Sequence, residues 1–167
     1  MFVYFLRHGD AIQSPAMHDS ERPLSPLGIR QASAAGAFLK ALNVYPDLIY
    51  SSPLLRAQQT AEEVRICLGV DKVHATEFLI PGTRKEQLFD QLNQSKSKSL
   101  LLVGHEPHLG ESISLLVTGH EGLFVEVRKC SLASVLVSES VRKGHALLQW
   151  LLTVEQMQLL VSKRDPH

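Results

Sequence analysis

Phe2-Val3-Tyr4-Phe5-Leu6-Arg7-His8-Gly9 opens the chain with an apolar run that ends on a cation, an imidazole and a glycine. Successive apolar residues, with one β-branched and several aromatic side chains, read as a strand buried on both faces. In an open α/β sheet, ligands collect at the carboxyl ends of the strands. Arg7 and His8 fall at that end, and Gly9 lets the backbone turn sharply or approach a ligand. A strand that merely ends in a polar turn would look the same. The assignment therefore depends on whether the layout recurs.

It recurs at Leu100-Leu101-Leu102-Val103, followed by Gly104-His105-Glu106-Pro107. Both segments deliver a histidine beside a glycine at the end of a buried strand. Right-handed crossovers bring the carboxyl ends of parallel strands to one sheet edge, where the two histidines can face each other. Between them, Leu48-Ile49-Tyr50 reads as another strand. Ser51-Ser52-Pro53-Leu54-Leu55-Arg56 follows, with Ser52 as N-cap and Pro53 at the first helical position. Arg56 then sits in a helix's first turn, where the macrodipole disfavours a cation. A local rule broken at a strand end is the kind of departure expected at a functional site.

The remaining punctuation supports alternating strands and helices. A long polar segment, Gly9 to Leu24, precedes a helix that starts at Ser25-Pro26 and runs to Ala41–Leu42, with Asn43 near its C-terminal cap. The Arg56 helix continues through Ala57, Ala61 and Val64 to Leu68 and stops at Gly69. Lys72 to Ala75 reads as a short strand, Lys85 to Leu92 as a helix, and Pro107 to Val117 as a helix stopped near Gly119. Leu132 to Val137 and Ala146 to Leu152 read as strands joined by the Glu139–Gly144 turn, and Val154 to Val161 as a terminal helix. Leu123–Val127 fits either an edge strand or a contact surface. The expected fold is α/β: a three-layer α/β/α sandwich with a mostly parallel central sheet, over residues 1–167 as one domain.

Bulk properties narrow the function classes. Hydrophobic residues make up 44% and charged residues 20% of 167, an ordinary soluble globular composition. The formal net charge is zero, so neither nucleic acid nor a membrane surface is expected as a partner. No run is long enough to span a bilayer, and Arg7 interrupts the only early apolar run, so no signal-peptide layout is read. Cys67 and Cys130 fit no metal or redox spacing and are expected as buried free thiols. These features point to a cytoplasmic protein.

Two arginines and two histidines at one edge suit a phosphoryl group. Guanidinium forks match phosphate oxygens, and a helix N-terminus adds backbone donors. One imidazole can serve as nucleophile and form a phosphoenzyme. There is no carboxylate cluster suited to Mg²⁺ and no Walker loop, so phosphoryl transfer without metal or other cofactor is expected. Arg22, in Asp19-Ser20-Glu21-Arg22-Pro23-Leu24, adds a further candidate cation. The pair His105 and His108 lacks a third metal ligand. His18, His74, His120, His145 and His167 read as solvated or tail residues, Trp150 as core, Glu111 as helix decoration and 163–167 as a frayed tail.

These residues resemble the histidine phosphatase superfamily, also called the phosphoglycerate-mutase-like or RHG family. Leu6-Arg7-His8-Gly9-Asp10 is similar to its first motif, and Arg22-Pro23-Leu24-Ser25-Pro26-Leu27-Gly28 to its RPL-T/S-x-x-G stretch. Ser51 to Ala61 resembles SSPxxRAxQTA, and Val103-Gly104-His105 resembles VGH. The resemblance implies His8 as the phosphorylated nucleophile, Arg7 and Arg56 as phosphate ligands and His105 as a phosphoryl-binding residue, with Arg22 also binding substrate. Within the family the chain looks most like the short phosphohistidine phosphatase (SixA) branch. Only 48 positions, residues 57 to 104, separate Arg56 from His105. Mutases and sugar phosphatases usually carry a longer insertion there that caps the site and bears a catalytic acid.

The branch implies a phosphohistidine-bearing phosphotransfer protein as substrate. Glu77, in Thr76-Glu77-Phe78, is the positional candidate for the acid, with a plain surface carboxylate as the alternative. His8 must be neutral to attack, whereas His105 is more useful as a cation, so a bell-shaped pH profile is expected. The rival readings are a phosphatase or mutase for small phosphate esters, a non-catalytic phosphohistidine-binding module, and a metal-binding regulator using His105 and His108.

Overall fold

Alternation within β1 (Phe2–Arg7) divides the interior in two. Val3 and Phe5 enter one core with Leu100, Leu102, Leu109 and Ile113. Tyr4 and Leu6 enter the other with Leu39, Ala57, Ala61 and Leu101. A strand with apolar residues at every position needs cover on both faces, and the helices provide it. The computed structural model describes residues 1–122, 125–138 and 140–163.

The helices on one face are α1 (Pro26–Ala41), α2 (Leu55–Leu68) and α5 (Val154–Ser162); those on the other are α3 (Lys85–Gln94) and α4 (His108–Thr118). Between them lie β2 (Leu48–Ser51), β3 (Val73–Ala75), β4 (Ser99–Gly104), β5 (Leu132–Val137) and β6 (Ala146–Leu152). The sheet order is β3-β2-β4-β1-β5-β6. The β1/β4, β2/β4 and β2/β3 pairs are parallel, whereas β5 runs antiparallel to both β1 and β6. This is the three-layer, mostly parallel sandwich that the alternation predicts.

Register positions the site. Arg7 pairs with Gly104 and Ser51 with Val103. The residues that follow each strand, His8, His105 and Ser52, therefore leave the sheet at one level on three adjacent strands. Ser25 caps α1 by accepting from the Gly28 amide, and Gly69 (φ 68°) closes α2 in the left-handed region. Trp150 packs against Tyr4 and edge-on to Phe38, half-buried beside the second core. Cys67 and Cys130 are free, but only Cys130 is buried; Cys67, on α2, is half-buried, contrary to expectation.

Some expectations change. Ser52 does not cap α2; Leu54 holds that position without a side-chain bond. The Gly9–Leu24 segment contains a one-turn 3-10 helix at Asp19–Glu21 and an Ala11–Leu24 bridge, so it is a tied strap. A second 3-10 turn covers Glu77–Leu79. Of Leu123–Val127, the first two residues lie outside the described ones. Val127 is buried, Val125 packs against the first core, and 125–127 form no strand. Glu139 and the tail residues 164–167, His167 among them, also lie outside the description.

Candidate active site

The turn after β1 is built around two glycines. A Cβ on Gly28 would lie 2.0 Å from the Asp10 carbonyl oxygen, and one on Gly9 2.7 Å from the Gly28 oxygen. The first turn of α1 therefore presses directly on the chain leaving β1, which only glycine permits at both positions. Around this contact, the Asp10 carbonyl accepts from the Ser25 amide, and its carboxylate accepts from Ser25 Oγ and Lys129 Nζ. Gln31 Oε1 accepts from the Asp10 amide and Gln59 Oε1 from the Leu24 amide. The strap is anchored at both ends.

His8 emerges from this turn 8% exposed. Its Nδ1 lies 2.7 Å from its neighbour Gly9's carbonyl oxygen. A carbonyl can only accept, so Nδ1 carries the proton and Nε2 keeps its lone pair. That lone pair accepts from Arg56 Nε at 3.3 Å. Burial lowers the His8 pKa to about 4; the Gly9 carbonyl opposes the shift, and Arg56, Arg7 and Lys129 add to it. The imidazole is thus neutral at pH 7, with its free nitrogen fixed in direction.

His105 faces it with ring centroids 4.9 Å apart. Its Nε2 lies 2.8 Å from Ser52 Oγ, the hydroxyl freed from the expected capping role. Its Nδ1 is buried and unpartnered among the described residues. Burial, then His8 and Arg56, lower its pKa to about 3. The free site therefore holds both imidazoles neutral. This differs from the expected neutral and cationic pair, because burial beside two guanidinium groups opposes a further positive charge.

Arg56 is 6% exposed in the first turn of α2. Thr60 fixes that turn, accepting from the Gly9 amide at 3.1 Å and donating to the Arg56 carbonyl at 2.7 Å. Arg56 also donates from Nη1 to the Asp19 carbonyl (2.6 Å) and from Nη2 to the Asp19 carboxylate (3.0 Å). Arg22 joins the same group: Nη1 donates to Asp19 Oδ1 at 2.9 Å and Nε to the Ile12 carbonyl at 2.9 Å. Partial desolvation of the Asp19 carboxyl is outweighed by the two arginines, which hold its pKa below the usual range.

Arg7 donates from Nη1 to the Val127 carbonyl at 3.1 Å, and its Nε is buried and unpartnered among the described residues. The Val127 amide in turn donates to Glu106, whose other carboxylate oxygen accepts from the Gly110 amide. Burial raises the Glu106 pKa against the opposing pull of these amides and of Arg7. Glu77 stands apart. Itself exposed, it opens a 3-10 turn whose other two residues, Phe78 and Leu79, are buried, and its carboxylate has no hydrogen bond or ion pair among the described residues. His108 is buried with Nε2 on the Phe78 carbonyl, and among the described residues no group of three or more His, Cys, Asp or Glu is placed to hold a metal.

Sequence reading thus named Arg7, His8, Arg22, Arg56 and His105, which gather here. It missed Asp19, Ser52, Thr60, Glu106 and Lys129 as parts of the site. Thr60 carried a usable signal, one helical turn after Arg56. The others depend on contacts across the fold.

A family model described as histidine phosphatase superfamily (branch 1) matches residues 3–80. Phosphohistidine phosphatase SixA of Escherichia coli is 31% identical over 155 residues, which cover 90% of this chain and 92% of that protein. The chain belongs to the histidine phosphatase superfamily. Its fold agrees with other histidine phosphatases. The structure of SixA complexed with tungstate superposes with a TM-score of 0.80 at 30% identity, covering 92% of this chain and 97% of that one. A phosphoserine phosphatase from Entamoeba histolytica shares the fold at 18% identity and a TM-score of 0.69. As a member of this superfamily the protein is a phosphatase, and among its described residues no helix is long and apolar enough to cross a membrane.

Proposed function

We propose that this histidine phosphatase hydrolyses phosphohistidine on another protein, without metal, through a phospho-His8 intermediate. The observation that carries the reading is the His8 imidazole. Its Nδ1 proton is held by the Gly9 carbonyl, and its Nε2 lone pair meets Arg56. Nε2 attacks phosphorus in line, and the substrate imidazole leaves with the electron pair of the broken P–N bond. Water then hydrolyses phospho-His8 and restores the neutral imidazole. Arg7, Arg56 and His105 stabilise the phosphoryl oxygens, with Arg22 at the mouth. The buried, unpartnered Arg7 Nε donates to the oxyanion, as does His105 Nδ1 in its protonated form. A bound dianion raises the proton affinity of His105 and favours its cationic form, while the Arg56 Nε–H donated to His8 Nε2 keeps that nitrogen unprotonated for attack.

The protein-borne substrate is supported by likeness to Escherichia coli SixA and by the interval between Arg56 and His105. The rest of α2, β3, α3 and β4 fill that interval, leaving no inserted lobe over the site. Glu77 is exposed and is not needed as an acid for a leaving imidazole, which departs more readily than an alkoxide. Residues 1–167 act as one catalytic unit in a cytoplasmic protein. The test is dephosphorylation of a phosphohistidine-bearing phosphotransfer domain, beside small phosphate esters, in EDTA. Faster release from the protein is expected. Preference for an ester would move the same chemistry to small-molecule metabolism, and loss of activity in EDTA would refute metal independence.

A further inference from the structure

A carboxylate within a phosphate site needs an explanation. Asp19 lies 37 residues from Arg56 in sequence, yet its oxygens bridge Arg22 and Arg56. The bridge is not required to hold either arginine. Arg56 already donates to the Asp19 main-chain carbonyl, and Arg22 to that of Ile12. The Asp19 side chain is 61% exposed, so an incoming substrate can meet it. Arg56 Nε contacts the nucleophilic nitrogen and Arg56 Nη2 contacts Asp19. These two nitrogens share one carbon of a planar fork. A phosphoryl group on its way to His8 must therefore pass beside the carboxylate.

For a phosphate ester this is pure repulsion, because the dianion and the carboxylate share the same two cations. A phosphohistidine differs in charge. With its second ring nitrogen protonated, the substrate imidazole is cationic. Attack by His8 Nε2 forms one P–N bond and breaks the other. The electron pair stays on the departing nitrogen, and the ring leaves as neutral imidazole without taking up a proton. A carboxylate at the mouth favours that cationic ring.

We infer that Asp19 determines specificity, favouring a phosphoryl group carried on a cationic imidazole over one carried on an ester oxygen. This rests on the phosphohistidine reading above. The test compares wild type with Asp19→Asn, which keeps shape and one acceptor. Turnover of a phosphohistidine peptide and of p-nitrophenyl phosphate is measured, with tungstate affinity as a binding readout. The ratio of kcat/KM, peptide over ester, is expected to fall by about tenfold or more, the effect of one charge-assisted contact, while tungstate binds more tightly. An unchanged ratio, with both substrates slowed alike or tungstate binding weakened, would reduce Asp19 to a strut for Arg56 and overturn the inference alone. A wild-type enzyme active on the ester but inert toward phosphohistidine would overturn the functional reading and this inference with it.

Discussion

Two neutral histidines buried in one site make the fold sensitive to acid. In the unfolded chain each titrates near 6.5, whereas in the folded protein His8 is lowered to about 4 and His105 to about 3. As pH falls from 7 to 4, the unfolded state takes up protons that the folded state refuses. Stability is therefore present above 6.5 and is lost on the way down. Over that window the linkage is about 3 kcal/mol for each histidine. Both rings are nearly buried, at 8% and 2% exposure, so solvent screening takes little from this value. Urea unfolding at pH 7, 5.5 and 4 would measure it in wild type, His8→Asn and His105→Gln. Each variant should lose about 3 kcal/mol less than wild type across the range, since carboxylate effects are common to all three. Saturating tungstate should flatten the wild-type dependence, because a bound dianion raises the proton affinity of His105. Parallel loss of stability in all three proteins would refute the assignment of neutral, buried rings.

Three further outcomes are expected. On an acid-stable ester substrate, kcat/KM should hold down to pH about 4, where free-enzyme His8 protonates, instead of breaking near 6.5; a pH–rate profile checks this. Glu106→Gln leaves one of two backbone amides facing an NH₂ group, so unfolding free energy should drop by roughly 1–3 kcal/mol. It should also weaken tungstate binding in wild type but not in Arg7→Ala, because Glu106 reaches the anion through Val127 and Arg7. Gly28→Ala drives a methyl group to 2.0 Å from the Asp10 carbonyl oxygen; a loss of at least about 1–3 kcal/mol in urea melts, with reduced turnover, is expected.

The legible parts of the site were those set by strand ends. His8, Arg7 and His105 immediately follow buried apolar runs, and Arg56 opens a helix, so local pattern located them. The three-layer fold was legible for the same reason, since uninterrupted apolar strands demand helices on both faces. Ser52 was misread because a serine before proline and a helix has a good local role as a cap; the register with β4 offered it His105 instead. Asp19 and Glu106 were illegible because the partners that draw them into the site, Arg56 and the Val127 amide, lie 37 and 21 residues away in sequence. The neutral state of His105 in the free site was illegible for a different reason: it depends on burial, which residue identity does not report.

The two imidazoles immediately follow neighbouring hydrogen-bonded strands, and their ring centroids, 4.9 Å apart, keep close to the ~4.8 Å spacing of those strands. The strand spacing thus sets the reach between the two rings, and the Gly9 and Ser52 contacts set their orientation. The strap carrying Asp19 and Arg22 is held between its anchored ends by side-chain contacts to Arg56 and within the strap, not by a strand ladder. Novel substrates should therefore arise by rewriting residues 12–22, with the distance between nucleophile and oxyanion partner inherited unchanged.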